Sequence, residues 1–262
     1  MGRRAFAVAA HPDDIEFQMA GTLILLRQAG YEIHVMTIAN GSCGTARHPK
    51  DEIIAIRRQE SISAAASISA MYHESLTDDL AIFYEPQLLA RMAAVMREVA
   101  PEILLVQSPE DYMEDHQNAQ RLAVTAAFAR GMRNFATEPP RNPVSQPVTV
   151  YHAQPHGNRD PLRRVVVPEI FVDISNVLEQ KRAMLAHHVS QKAWLDETQG
   201  MDAYLDTMQM IGREVGVLSG RYTYAEGWRR RLHLGFCDAA DDPLTVALGE
   251  ACVCADRPVC EP

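Results

Sequence analysis

Short apolar runs alternate with longer segments of helical periodicity along the first half of the chain. The runs predict strands at residues 5–10, 31–39, 71–74 and 102–107. The segments with apolar residues three and four positions apart predict helices at residues 15–29, 51–69, 85–99 and 116–133. Strands that alternate with helices of this length form βαβ units. We therefore predict an α/β fold with a mainly parallel sheet and helices on both faces.

The second half of the chain opens with residues 137–147, which are rich in Pro, Asn and Ser and form the one candidate for an internal boundary. The predicted strands beyond it are residues 148–154 and 169–174, and the predicted helices are residues 176–197 and 201–215. Residues 237–262 have no clear periodicity, and we expect a loose tail or an oligomer contact there. The sequence thus predicts one domain over residues 1–236 with a C-terminal extension over residues 237–262.

The tetrapeptide His11-Pro12-Asp13-Asp14 stands directly after the first predicted strand and directly before the first predicted helix. Such a turn can direct His11 and Asp14 to one spot above the sheet, and imidazole and carboxylate groups are natural zinc ligands. Asp13 lies between them and is free to face a metal-bound water, while Pro12 restricts the turn. Asp14 alone would be interpreted as a helix cap at the surface. The whole tetrapeptide at this position favours a metal site.

A second polar group, residues 109–116, again follows a predicted strand and precedes a helix, and it ends in His116. Sheets of parallel strands bind ligands at the carboxyl ends of the strands, so we expect this loop at the same edge as His11 and Asp14. Three protein ligands and one open position are typical of a catalytic zinc site. Taken alone, His116 would be interpreted as an ordinary residue at a helix N-terminus. Together the two groups predict a site formed by His11, Asp14 and His116.

The chain resembles the PIG-L/LmbE-like zinc-dependent deacetylases over most of residues 5–228. The specific matches are residues 10–16 (Ala-His-Pro-Asp-Asp-Ile-Glu) with Gly21-Thr22, and Asp115-His116. Weaker matches are Arg57 with Glu60, Asp78, and the segments 188–191 and 224–227. The resemblance implies a Rossmann-like (LmbE-like) α/β fold that removes N-acetyl groups from N-acetylglucosamine compounds. It also implies a homo-oligomer and a zinc (Zn²⁺) cofactor, or another divalent cation such as Fe²⁺.

Carried over by position, the resemblance implies roles for single residues. The metal ligands are His11, Asp14 and His116, and the general base is Asp13. Asp78 is a candidate substrate contact, Arg57 is a candidate either to bind the substrate or to support the residues that do, and Asp115 is a candidate to orient a ligand or another histidine.

One position departs from the family pattern. Many relatives have a histidine three residues before the last metal ligand, where this chain has Met113. In those relatives the histidine is thought to stabilise the oxyanion or to donate a proton, so this role is open here. The candidates to fill it from elsewhere in the chain are His152, His156 and His188.

Composition limits the classes of partner. The formal net charge is −9 and the sequence pI is near 5.6, which provides no basic footprint for nucleic acid or for an anionic membrane surface. Among small molecules, this balance suits a neutral or cationic substrate better than a polyanion. No apolar run is long enough to cross a bilayer, no signal peptide is visible, and the five cysteines form no disulfide framework. We therefore expect a cytoplasmic protein.

These features predict a zinc-dependent N-deacetylase that acts on an N-acetylglucosamine-type amino sugar or conjugate through a metal-bound water. One alternative is the same chemistry on a non-sugar amide. Another is a protein of this fold that binds a sugar or a metal without turnover, which the loss of the histidine at Met113 would allow. Asp13 argues against this last alternative, because a pure binding protein has little use for a spare carboxylate beside the water.

Overall fold

The computed structural model describes residues 2–199 and 204–255. The strands are β1 (Arg4–Ala9), β2 (Glu32–Thr37), β3 (Met71–His73), β4 (Ile103–Val106), β5 (Thr149–Ala153), β6 (Ile170–Asp173), β7 (Ala225–Arg230) and β8 (Cys252–Cys254). The α-helices are α1 (Asp14–Gln18), α2 (Ala20–Gln28), α3 (Lys50–Ser67), α4 (Pro86–Val99), α5 (Glu114–Ala129), α6 (Leu178–Leu185), α7 (Val189–Gln199), α8 (Tyr204–Ser219) and α9 (Pro243–Leu248).

The eight strands of the described residues belong to one sheet with the order β3-β2-β1-β4-β5-β7-β6-β8. The five strands from β3 to β5 are parallel, whereas the pairs β5–β7, β7–β6 and β6–β8 are antiparallel. The parallel half results from the βαβ units that the alternating sequence pattern predicts. The predicted α/β fold with helices on both faces of the sheet is confirmed.

The side chains of β1 alternate between two apolar layers. Ala5, Ala7 and Ala9 pack in the layer that contains α2, α6 and α8. Phe6 and Val8 pack in the layer that contains α4 and α5. A central strand that is covered on both faces needs a continuous apolar sequence, which explains the unbroken run at residues 5–10.

The chain turns to opposite sides of the sheet after β1 and after β4. The two strands are parallel neighbours, but β1 leads to β2 on one side and β4 leads to β5 on the other. The loops that follow them therefore separate and leave a crevice at the carboxyl ends of the strands, where α/β proteins bind ligands. Both polar groups of the sequence analysis lie on these loops.

Two predicted helices are interrupted in the structure. The helix predicted over residues 15–29 divides at Met19, whose φ of −133° is not helical, into α1 and α2. The helix predicted over residues 176–197 divides into a short 3-10 turn, α6 and α7. The apolar spacing continues through both breaks, so periodicity alone does not locate them. The first residues of the helix predicted over 201–215, 201–203, lie outside the described residues.

The expectation of a loose tail after residue 237 is wrong for the part that the structure describes. Residues 243–248 form α9, and β8 pairs with β6 at the edge of the sheet. The side chain of Asp242 accepts a hydrogen bond from the backbone of Thr245, and Leu244 is fully buried. Elements this short carry no measurable periodicity. Residues 256–262, with Cys260, lie outside the described residues, and an oligomer contact stays a prediction.

Residues 137–147 contain no helix or strand. They are attached to the body of the protein, because Nη1 of Arg97 donates to the carbonyl of Arg141 over 2.9 Å. The division of the chain at residue 236 stays a prediction. No helix in residues 2–199 and 204–255 has the length and apolar character needed to span a bilayer.

Candidate metal centre

The loops after β1 and β4 bring the three predicted ligands together. One ligand atom from each of His11, Asp14 and His116 lies within 4.8 Å of the other two. Nδ1 of His11 is 3.5 Å from Oδ2 of Asp14, and Nε2 of His116 is 3.4 Å from Oδ1 of the same carboxylate. Two imidazoles and a carboxylate that converge in this way form a donor set suited to one zinc-like cation.

A further carboxylate fixes the orientation of each histidine in this group. Nδ1 of His116 is 2.9 Å from Oδ1 of Asp111, and Nε2 of His11 is 3.0 Å from Oδ2 of Asp115. When the imidazoles are neutral and donate in these bonds, Nε2 of His116 and Nδ1 of His11 keep lone pairs directed toward Asp14. Metal-binding histidines typically have such carboxylate partners. Asp115 thus contacts His11, and its role in orienting this ligand stays a prediction.

The carboxylates and imidazoles of this cluster shift one another's pKa values in opposite directions. Burial raises the pKa of Asp14, but the nearby His116 and the hydrogen bonds with His11 outweigh burial and hold this pKa well below its usual range. Burial lowers the pKa of His11, yet its hydrogen bonds to Asp115 and Asp14 raise the pKa to about 10. The cluster therefore favours positive charge at its centre, which protons or a metal cation can supply.

Asp13 has a backbone conformation that residues other than glycine rarely adopt, with φ at 102°. Its side chain lines the same cavity as His11 and Asp14. The hydroxyl of Tyr204 donates to Oδ2 of Asp13 over 2.7 Å. Burial raises the pKa of Asp13 to about 6, and the charge of Arg57 partly offsets this effect. Asp13 is therefore a carboxylate held in a fixed position beside the candidate metal ligands.

A cavity of about 340 Å³ opens in front of the cluster. Its lining combines apolar side chains, such as Phe17 and Tyr112, with polar ones, such as Arg57 and Asp79. Small-molecule sites typically have this mixture of apolar walls and a few fixed polar groups. The cavity and the cluster together therefore form a candidate site for a small ligand.

His156 is the candidate replacement for the missing histidine that lines this cavity. Its ring packs against Phe17 and Tyr112, with ring centroids 5.4 Å and 5.9 Å apart. Burial lowers the pKa of His156, so the neutral imidazole is favoured. The backbone N–H of His156 donates to Oδ2 of Asp111 over 3.1 Å. Asp111 thus connects the loop of His156 to the metal ligand His116.

The other two candidate replacements do not line the cavity. Nδ1 of His152 is 3.0 Å from the carbonyl oxygen of Gln107, and Nε2 faces Arg231. His188 is buried, and its Nε2 lies 3.2 Å from a carboxylate oxygen of Glu16. Both histidines are thus engaged with neighbouring groups outside the cavity. Of the three histidines, the structure favours His156 for a direct role.

Asp78, predicted as a substrate contact, lies outside the cavity as well. Its carboxylate accepts hydrogen bonds from the side chains of Asn40 and Lys50. The next residue, Asp79, lines the cavity instead. A turn at these positions decides which of two adjacent acids faces inward, and the sequence alone does not fix that geometry.

Two residues of this site, Asp111 and Tyr204, are not among those predicted from the sequence. Asp111 stands five positions before His116, and an acid on the same loop as a histidine ligand is the pattern that could have identified it. Tyr204 is 191 positions from Asp13. No local pattern connects residues that are so far apart in the sequence.

The fold and the cluster define an α/β protein with a His–Asp–His group at the carboxyl edge of its sheet. Residues 6–127 match the model of the family described as PIG-L: GlcNAc-PI de-N-acetylase. The resemblance to the PIG-L/LmbE-like family is therefore confirmed over these residues. The matched range contains Asp13 and all three candidate metal ligands.

Proteins similar to this chain differ in their activities. A 4-oxalmesaconate hydratase of Pseudomonas putida is 28% identical over 235 residues, which cover 86% of this chain and 88% of that protein. A diacetylchitobiose deacetylase of Thermococcus kodakarensis is 27% identical over 233 residues, which cover 87% of this chain and 82% of that protein. The crystal structure of a 4-carboxy-2-hydroxymuconate hydratase from Pseudomonas putida has a TM-score of 0.73 at 22% identity, covering 92% of this chain and 99% of that chain. This last likeness shows a shared fold.

Proposed function

We propose that this protein is a metal-dependent hydrolase that removes the N-acetyl group from an N-acetylglucosamine-type amino sugar or conjugate. The observation that carries the proposal is the convergence of His11, Asp14 and His116 beside Asp13 at the floor of an open cavity. The family match and the similarity to a diacetylchitobiose deacetylase support the same chemistry. Zinc is the first candidate for the metal, because its preferred ligands are those present, and Fe²⁺ is the second.

The residues of the site have distinct roles in this reaction. His11, Asp14 and His116 would hold a divalent cation, which polarises a carbonyl oxygen and lowers the pKa of water from 15.7 to about 7. Asp13 accepts the proton of the attacking water and returns it to the departing amine. The Tyr204 hydroxyl occupies one oxygen of Asp13 and leaves the other for this proton.

His156 supplies the group that Met113 does not provide. Its ring borders the cavity beside Tyr112, and its backbone is tied to Asp111. A neutral imidazole at this place can donate a hydrogen bond to the developing oxyanion through its N–H. His156 therefore replaces the missing histidine from another loop of the fold.

Acetate release tests the proposal. Zinc-loaded protein should release acetate from at least one of a set of mono-, di- and thiol-conjugated N-acetylglucosamine compounds. Asp13→Asn should keep the metal and lose roughly 10²–10⁴-fold in kcat, as expected for a general base. Asp78→Asn, which changes a carboxylate outside the cavity, serves as the matched control and should keep its activity. Full activity in Asp13→Asn would exclude Asp13 as the base.

A second candidate function is the addition of water to an unsaturated carboxylic acid. Two observations favour it: Met113 replaces the histidine of many deacetylase relatives, and the chain is similar to a 4-oxalmesaconate hydratase. Loss of the ultraviolet absorbance of a conjugated unsaturated acid measures this reaction. Such a loss, together with no acetate release from any N-acetyl compound, would favour hydration over deacetylation.

We infer further that the protein works as a homo-oligomer in the cytoplasm. The family resemblance supports the oligomer, and the cysteine pattern supports the compartment. Sedimentation analysis of the purified chain measures the first of these properties directly, and a monomer at all concentrations would contradict it.

A further inference from the structure

We propose that Arg57 binds a carboxylate group of the substrate, so that the natural ligand of this cavity is an acid. The proposal deepens the proposed function and rests on it for the reaction, while binding itself is independent of turnover. Two features carry it: the unpaired guanidinium of Arg57, and the glycine loop, defined as residues 41–44, that lies against this guanidinium.

Arg57 is a buried cation with few partners. It extends from α3, is 2% exposed and lines the cavity together with His11 and Asp13. Nη2 donates to the carbonyl oxygen of Pro12 over 2.7 Å. Nε is buried without a hydrogen-bond partner. Across residues 2–199 and 204–255, no carboxylate oxygen lies within 4.0 Å of the guanidinium.

The glycine loop has glycine at the two positions that face Arg57. A Cβ atom at Gly41 would lie 2.5 Å from Cδ of Arg57, and a Cβ atom at Gly44 would lie 2.2 Å from Nη1. Gly41 also has φ at +81°, so its backbone favours glycine on its own account. The backbone of Gly44 does not require glycine in this way. The missing side chain at Gly44 instead lets the loop backbone pack directly against the guanidinium.

The polar groups around the glycine loop leave Arg57 available for a ligand. The carboxylate of Asp79 accepts hydrogen bonds from the backbone N–H groups of Gly41 and Cys43, over 2.7 Å and 2.8 Å. Gln191 also lines the cavity, and its buried Oε1 has no hydrogen-bond partner. Rotation of this amide would place an N–H donor beside Arg57. The two side chains can therefore bind one anionic group together.

Asp13 is near enough for its charge to act on Arg57, but a buried guanidinium without a carboxylate in direct contact is still incompletely compensated, and a bound carboxylate reduces that cost. The planar fork of N–H donors matches the two oxygens of a carboxylate, and the resulting bonds are short and charge-assisted. The hydroxyl of a neutral sugar could accept one hydrogen bond but would leave the charge unpaired. The chemistry of Arg57 thus favours an acidic substrate, such as an N-acetylated amino acid or an N-acetylated sugar acid.

Isothermal titration of the zinc-loaded full chain with matched pairs of probes tests the proposal. The pairs are N-acetylglycine with N-acetylglycinamide, and N-acetylglucosaminuronic acid with N-acetylglucosamine. In at least one pair the acid should bind about ten-fold or more tightly than its neutral partner, as expected for a charge-assisted bidentate contact. Equal dissociation constants within both pairs would overturn the proposal.

Three variants locate the preference for the acid. Gly44→Ala would place a Cβ atom 2.2 Å from Nη1 and therefore displaces the guanidinium while the charge remains, and Arg57→Lys keeps the charge but removes the planar fork. Both should lose most of the preference. Lys50→Met removes an exposed cation that is paired with Asp78 outside the cavity, and it should bind like the unchanged protein. A preference that survives in both Gly44→Ala and Arg57→Lys would show that the carboxylate binds elsewhere.

Turnover is followed separately in the same samples. A preference for acids without acetate release would support the assignment of Arg57 and contradict the proposed deacetylation. Acetate release without any preference for acids would contradict the assignment of Arg57 and support the deacetylation. The two proposals can therefore fail independently.

Discussion

At the residue scale, Asp111 connects the candidate metal ligand His116 to the loop of His156. It is fully buried, and its two oxygens contact Nδ1 of His116 and the backbone N–H of His156. Asp111→Asn removes the negative charge but fills nearly the same space. His116 should then lose its fixed orientation while the packing around it stays unchanged. A single buried carboxylate thus couples a metal ligand to the cavity wall.

Asp111→Asn should weaken zinc binding by roughly 10–100-fold, because the carboxylate partners of metal-binding histidines typically contribute this much to affinity. Competition with a chelator of known affinity measures the change. Asp78→Asn alters an acid that does not contact the ligands, and it should bind zinc normally. Unchanged zinc affinity in Asp111→Asn would show that Asp111 does not orient His116.

Tyr204→Phe should lower kcat for acetate release and leave metal content and KM nearly unchanged. The lost hydrogen bond to the charged Asp13 is worth roughly 1.5–3 kcal/mol, which corresponds to about ten-fold to a hundred-fold in rate. Steady-state kinetics and metal analysis of the same preparation measure both quantities.

The matched control for this variant is Tyr151→Phe. The Tyr151 hydroxyl also donates to a carboxylate, that of Asp242 over 2.6 Å, but outside the cavity. Tyr151→Phe should lower stability and keep kcat. An unchanged kcat in Tyr204→Phe would remove Tyr204 from the account of the site.

At the scale of elements, a buried ion pair joins α6 to β7 and to the start of α2. Nζ of Lys181 donates to Oε1 of Glu226 over 2.6 Å, and both side chains are almost completely buried. The same carboxylate accepts hydrogen bonds from the backbone N–H groups of Gly21 and Thr22. This pair therefore fixes the helix that continues from the Asp14 loop.

Lys181→Met should lower the free energy of unfolding by about 3–5 kcal/mol, because removal of one partner leaves the other charge buried. Urea unfolding followed by circular dichroism measures the change. Arg182→Met offers a neighbouring control, since Arg182 forms a partly exposed ion pair with Asp206 and should cost less than about 1 kcal/mol. Equal costs in the two variants would show that burial of the Lys181 pair does not matter.

The parallel half of the sheet follows from the sequence because its pattern is local. The continuous apolar run at residues 5–10 can only be a strand covered on both faces, and the polar groups after it and after residues 102–107 must then share one edge. His11, Asp14 and His116 were predicted as a group for this reason, and the structure brings them together.

The antiparallel half could not be predicted in the same way. Glu226, Arg229 and Arg230 interrupt the apolar pattern of β7, and β8 is only three residues long. These strands are held by partners that are distant in sequence, such as Lys181 for Glu226. Dependence on partners that are distant in sequence also explains why Tyr204 was not predicted. For the same reason Asp78 was predicted as a substrate contact, whereas Asp79 is the acid that lines the cavity.

At the scale of the whole molecule, stability should depend on pH through the buried His152. Burial lowers the pKa of His152 to about 4, and the charge of Arg231 contributes. The unfolded chain, where a histidine has its usual pKa near 6.5, binds more protons between pH 4 and pH 6.5. The contribution of His152 to stability is therefore complete well above pH 6.5 and is lost as the pH falls through 6.5 toward 4.

Between pH 7 and pH 5, this loss amounts to about 2 kcal/mol. The free energy of unfolding, measured in urea at both pH values, should therefore change by about 2 kcal/mol less in His152→Gln than in the unchanged protein. The comparison of the two proteins cancels the contributions of the other histidines. An identical pH dependence in both proteins would contradict the low pKa of His152.

The overall charge and the charge of the cavity lead to different expectations about the substrate. A net charge of −9 suits a neutral or cationic ligand, whereas the unpaired Arg57 favours an acid. Net charge acts on the encounter of distant molecules and is screened by salt, while Arg57 acts at contact distance in a buried site. We therefore expect the contact chemistry of Arg57 to decide which ligand binds.

The central claim is that two loops far apart in sequence hold one divalent cation over the edge of the sheet. Anomalous diffraction at the zinc edge from crystals of the zinc-loaded protein tests it most directly. The account predicts a single strong peak roughly 2.0–2.2 Å from Nδ1 of His11, an oxygen of Asp14 and Nε2 of His116. A zinc-loaded crystal with no peak between these three side chains would contradict the account.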